Sequence, residues 1–101
     1  VRPDAQLQAS NGAVAQAVAG NKTAIGYVGI GYLNDELKSL TVNGVEASAK
    51  TALSKDYPVA RGLNMYTNGE PKGVVKDFIQ YILSDEGQKM VEEEGFVPLA
   101  N

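Results

Sequence analysis

The chain of 101 residues sets nine Lys and Arg against twelve Asp and Glu, a formal net charge of −3, and contains neither cysteine nor histidine. The acidic balance argues against non-specific nucleic-acid binding, which needs a basic field; the missing residue types exclude disulfides, thiolate or imidazole metal sites, a cysteine nucleophile and every histidine acid/base arrangement. With 44% apolar and 21% charged residues, the composition is that of one small globular domain with a modest core.

Gln6 to Ala9 reads as a short extended segment after Pro3. Ser10 or Asn11 then caps a helix that runs to about Ala19, with Gly20 as a C-terminal stop. Val14 and Val18 share one thin face with Ala13 and Ala17, so a neighbour can come close. Thr23 to Leu33 is expected to be an interior strand, because Ile25 and Tyr27 alternate with Val28, Ile30 and Tyr32 and both faces carry apolar groups. It also carries Gly26, Gly29 and Gly31, and glycine inside a strand marks a bend, a bulge or a close approach. The alanine-rich helix just before it is the element expected to make that approach.

Leu40 to Val42 and Val45 to Ala47 flank Asn43-Gly44, a hairpin signal for a turn that needs positive φ at both central residues. Ser48 to Leu53 fits a helical turn. Val59 to Thr67 alternates as a strand, and Asn68 to Pro71 is a turn. Gly73 to Leu83 is the clearest helix. Val74, Val75, Phe78, Ile79, Ile82 and Leu83 form one broad apolar face, expected to be buried against a sheet. Ser84 caps a second helix whose first turn holds Asp85 and Glu86. Gly95 is suited to end it, with Phe96 folding back on Val91. The order β-α-β-ββ-β-α-α is an α/β or α+β pattern. No apolar run reaches the ~20 residues of a membrane span. The opening VRPDAQLQ has no apolar leader, so an exported protein would carry its leader upstream of Val1.

Few segments carry chemistry. Gly20-Asn21-Lys22-Thr23 has an extra residue for a phosphate loop and follows a helix instead of opening one. Gly26 to Gly31 reverses the dinucleotide fingerprint and lies inside a predicted strand. Glu92, Glu93 and Glu94 point in different directions from a helix and read as a solvated face, not a metal cluster. Arg61 reads as a lone cation on an exposed strand face. Ser10, Asn11 and Gly12 admit two readings: an ordinary helix cap, or an anion site built from backbone N–H groups and the helix dipole. No nucleophile–base pair is present, so an enzyme is not expected.

Taken in order, SNGAVAQAVAG, AIGYVGIGYL, LTVNGVEAS, YPVARGLNMYT and GVVKDFIQYILSDEGQKMVEEEGFVPL resemble the C-terminal part of the phosphate-binding proteins of bacterial and archaeal ABC transporters. The resemblance covers nearly the whole chain. It implies an α/β fold, the C-terminal portion of a two-lobed clamshell of the periplasmic-binding-protein type. Residues 1–57 would be part of the second lobe, 58–67 a hinge or return strand, and 68–101 a helix pair packing on the first lobe. The implied function is non-enzymatic capture of inorganic phosphate outside the membrane, in a periplasmic or cell-surface protein, and its delivery to a transporter permease. No cofactor, metal or nucleic acid is implied. Most ligand residues would lie upstream of this chain; Ser10, Asn11 and Gly12 are the weak ligand candidates within it. The alternatives are another oxyanion, such as molybdate or sulfate, or a small self-contained α/β interaction domain. A piece of a two-lobed protein would also be prone to self-association through its uncovered sheet edges.

Overall fold

Ser10 sets the start of the first helix, α1 (Asn11–Ala19), in the computed structural model, which describes residues 1–99. Ser10 is extended (φ −156°, ψ 164°), and its Oγ accepts the Ala13 N–H at 3.1 Å. That satisfies one of the amides a helix start leaves without an intrahelical partner. Gly20 ends the helix, but in the right-handed region (φ −79°) rather than as a left-handed stop. Asn21 then forms an Asx turn. Its Oδ1 accepts the Thr23 N–H at 3.0 Å and the Thr23 hydroxyl at 2.8 Å. Turn chemistry thus accounts for Asn21 and Thr23, and no phosphate loop is formed.

The segment expected as one strand to Leu33 is not a strand. Residues 24–29 have no regular secondary structure, and Ile30–Tyr32 close into a single 3₁₀ turn. Ile25 is 80% exposed and Tyr27 74%. Among the described residues the only β pairing is one bridge between Val42 and Val45. Their reciprocal N–H···O bonds are both 3.0 Å, across Asn43 (φ 52°) and Gly44 (φ 77°). The Asn-Gly turn therefore forms as its sequence dictates, without a ladder beyond it. Residues 60–67 also run without a partner. A strand exists only where a neighbour takes up its backbone groups, and none of the described segments lies alongside these. The α/β architecture is accordingly not realised within the described residues.

Helix α2 (Ala49–Leu53) begins with a reciprocal cap. Ser48 Oγ accepts the Thr51 N–H at 3.1 Å, and Thr51 Oγ1 accepts the Ser48 N–H at 3.0 Å. Tyr57 Oη donates to the Leu40 carbonyl at 3.3 Å, which ties the Asn-Gly turn to the end of α2.

Helices α3 (Gly73–Leu83) and α4 (Asp85–Glu93) have the expected bounds and pack on each other. Ser84 joins them: its Oγ donates to the Tyr81 carbonyl at 2.6 Å and accepts the Gly87 N–H at 3.2 Å. Gly95 (φ 83°) ends α4 in a Schellman motif, with the Phe96 N–H on the Val91 carbonyl at 3.1 Å and the Gly95 N–H on Glu92 at 2.9 Å. Gln88 lies buried at the helix junction. Its Nε2 donates to the Ile82 carbonyl at 2.8 Å, and its Oε1 accepts the Leu99 N–H at 2.7 Å.

The apolar face of α3 is where expectation and structure diverge most. Phe78 is 62% exposed and Val74 83%, while Ile79 and Ile82 are half-buried. No sheet of the described residues covers them. The whole chain reflects this. It measures 51 × 27 × 22 Å, with a radius of gyration of 16.5 Å, against about 13 Å for a compact chain of this length. Its accessible surface is 8617 Å², against about 5,500 Å² for a compact monomer of this mass.

Candidate functional site

The start of α1 is the best candidate for binding, and it is built from residues 10 to 12. Ser10 and Asn11 are exposed and Gly12 is half-buried. Ser10 Oγ is engaged as an acceptor from Ala13, so its hydroxyl proton remains available to donate. The Asn11 and Gly12 amides have no acceptor within the helix. The first turn of α1 holds no carboxylate, whereas α4 begins with Asp85 and Glu86. The positive end of the α4 dipole is thus matched by the chain's own acids, and that of α1 is left to solvent or to a bound anion. Helix α3 also starts without an acid or a side-chain cap, but it offers no hydroxyl there.

Asn11 has a second partner that its sequence neighbourhood does not suggest. Its Oδ1 accepts the Gly29 N–H at 3.2 Å, eighteen residues away. The carboxamide therefore fixes the turn at 29–32 beside the helix start. Gly26 answers the close-approach question directly. A Cβ there would lie 2.9 Å from Val14 Cγ1 and 2.9 Å from Val18 Cγ2. The helix that comes close is α1, as expected, although it meets an irregular segment and not a sheet. Ala15, not Ala13 or Ala17, is the buried alanine of α1.

The other candidates do not converge on this point. Arg61 is exposed in the unpaired run and makes no ion pair among the described residues. Glu93 lies 4.0 Å from Lys89 on the surface of α4. Among the described residues no group of three or more acidic side chains is placed to hold a metal ion. Among the described residues two shallow depressions stand out. One of about 220 Å³ is lined by Asp85, Gln88, Lys89, Glu92, Pro98 and Leu99; one of about 170 Å³ lies beside the Asn-Gly turn. Both are open to solvent, and in the first the Gln88 side chain is already committed to backbone groups. Sequence reading missed Gln88 altogether, because a glutamine in a run of polar residues carries no local sign that it will be buried.

Comparison with known proteins gives the class of molecule to which these pieces belong. Residues 2–86 match the PBP superfamily domain, and the chain belongs to that superfamily. Its relatives narrow the group. It is 42% identical over 85 residues to the phosphate-binding protein PstS 2 of Streptococcus agalactiae serotype V, covering 83% of this chain and 29% of the relative. It is 38% identical to PstS 2 of Streptococcus pneumoniae serotype 4, over 92% of this chain and 32% of that protein. The phosphate-binding protein PstS of Bacillus subtilis is 33% identical, over 91% and 31%. No solved structure gives a significant match. The chain thus spans about a third of the length of these curated relatives. The family resemblance read from the motifs is borne out.

Proposed function

We propose that this chain serves in the capture of inorganic phosphate for an ABC importer, as one portion of a two-lobed, extracytoplasmic binding protein. The observation that carries the proposal is the similarity to phosphate-binding proteins along more than four-fifths of the chain, with identities of 33–42%. Molybdate and sulfate find no support among these relatives, whose names specify phosphate. The exposed surface also disfavours a self-contained interaction domain, since a chain of this mass that folds alone hides much more of itself.

In this reading residues 1–57 contribute to one lobe, 58–67 return between lobes, and the α3–α4 pair packs on the other. The unpaired runs take their places in sheets completed by the rest of the protein, and the permease is its downstream partner. Ser10, Asn11 and Gly12 present a hydroxyl and two backbone amides toward an anion. No group here performs catalysis; binding and release are the whole task.

The test is a chimera. The matching third of the Streptococcus agalactiae relative is replaced by this chain, and phosphate and sulfate are titrated calorimetrically. Saturable phosphate binding with sulfate excluded is expected. A folded chimera that prefers sulfate, or that binds neither anion, would overturn the assignment.

A further inference from the structure

We propose that Asn68 is a site of spontaneous covalent modification: the Gly69 amide nitrogen closes an imide ring on the Asn68 carboxamide, and water opens the ring to aspartate and isoaspartate. The chain contains Asn-Gly three times, at Asn11-Gly12, Asn43-Gly44 and Asn68-Gly69. Glycine has no side chain to shield its amide, so every such pair is open to ring closure. The pairs alone rank equally; the structure separates them.

Asn11 is held most firmly. It is the first residue of α1, and its Oδ1 accepts the Gly29 N–H at 3.2 Å. Ring closure needs the next amide nitrogen to swing onto Cγ, a rotation about ψ that leaves the helical range. Asn11 would have to release Gly29 and unwind the first turn of its helix. Asn43 is exposed, but its turn is closed by the two Val42–Val45 bonds, both 3.0 Å, with Asn43 at φ 52°. Asn68 has neither restraint. Asn68 and Gly69 are exposed, and among the described residues no backbone hydrogen bond closes their turn. The Asn68 carboxamide and the Gly69 N–H make no hydrogen bond there. Thr67 Oγ1 donates to the Gly69 carbonyl at 2.7 Å, which leaves the amide of that residue untouched. A methyl on Gly69 would meet nothing within 4 Å, so water and hydroxide have access.

The chemistry balances with water alone. Hydroxide removes the Gly69 amide proton, the nitrogen bonds to Asn68 Cγ, and the Cγ–Nδ2 bond breaks. Nδ2 leaves as ammonia, taking a proton from water and restoring the hydroxide. Water then adds to one of the two ring carbonyls. Opening at Cγ gives aspartate; opening at the main-chain carbonyl gives isoaspartate, whose backbone runs through Cβ and Cγ. Nothing is oxidised or reduced. Either product adds a negative charge close to Glu70, and isoaspartate lengthens the main chain just ahead of α3. The inference does not depend on whether the chain binds phosphate.

Trypsin places the three pairs on separate peptides, because Lys22, Lys38, Lys50, Arg61 and Lys72 divide them. The full chain is aged in mildly alkaline buffer, folded and in guanidinium, then digested and read by mass spectrometry with fragmentation that distinguishes isoaspartate. Unfolded, the three sites should react at similar rates. Folded, Asn68 should keep its unfolded rate, Asn43 should slow by roughly tenfold because its bridge must open first, and Asn11 should slow further. The Asn68 rate should rise in proportion to hydroxide. Asn68→Gln, whose longer side chain would need a larger ring, should remove the main acidic species from isoelectric focusing, and Asn43→Gln should leave it. The proposal is overturned if folding protects Asn68 as much as Asn43, if Asn43 or Asn11 is the faster site in the folded chain, or if the same ranking persists in guanidinium.

Discussion

Ser10 serves as a cap and as a ligand candidate, and the two roles separate by substitution. Ser10→Ala removes the acceptor for the Ala13 amide and is expected to cost about 1 kcal/mol of helix stability. Ser10→Asp keeps a capping acceptor but brings a negative charge to the point where an anion would sit. In the chimera it should leave the thermal midpoint near that of the parent while weakening phosphate binding at least as much as Ser10→Ala does; equal binding in the aspartate variant would remove Ser10 from the ligand set. Gln88 gives the opposite case, a polar residue whose role is structural. Gln88→Leu leaves the half-buried Ile82 carbonyl and the Leu99 amide without their partner; a fully buried group so orphaned costs about 1–3 kcal/mol, and the exposed Leu99 regains water instead. Urea denaturation followed by circular dichroism should show a loss of about 1 kcal/mol, larger than for an exposed change on the same helix. Ser10 was legible in the sequence because capping acts over three residues. Asn11 to Gly29 and Gln88 to Leu99 were not, because those bonds depend on how distant segments are brought together.

Among the elements, the helices follow their local signals and the strands do not. α3 and α4 begin and end where glycine, serine and the apolar period place them. A helix closes its hydrogen bonds within itself, so its sequence nearly suffices to specify it. The runs at 24–29 and 60–67 alternate like strands, yet their backbone groups need a partner segment that the described residues do not supply. The Asn43-Gly44 turn forms alone because its geometry is also local. For α3, exposure of Phe78 changes an energetic expectation. Burial against a sheet would make Phe78→Ala cost roughly 3–5 kcal/mol. At 62% exposure, the loss in this chain should stay below about 1 kcal/mol. In the chimera, where the rest of the lobe would cover that face, the same substitution should approach the larger figure. Equal small losses in both settings would place α3 on the surface of the assembled protein.

On the scale of the whole molecule, the surface lies roughly 3,000 Å² above that of a compact monomer of its mass. That excess is comparable to what obligate partners bury between them. Val74, Phe78, Leu63 and Val59, all exposed, supply apolar area that rarely stays bare. The purified chain should therefore associate with itself as its concentration rises, and light scattering should report a mass that grows with it. A cooperatively unfolding monomer at high concentration would contradict this and would favour a self-contained domain. The uncovered run around Arg61 has a further consequence, for survival. Open, extended backbone is the form in which peptides add to the sheet edges of other proteins, and exposed segments are where nicking concentrates. Trypsin should cut after Arg61 early, separating α1 and α2 from the α3–α4 pair. Once a neighbouring strand takes up that backbone the same bond should resist, so the lifetime of the Arg61–Gly62 bond in dilute protease becomes a clock that reads whether the chain has found its cover.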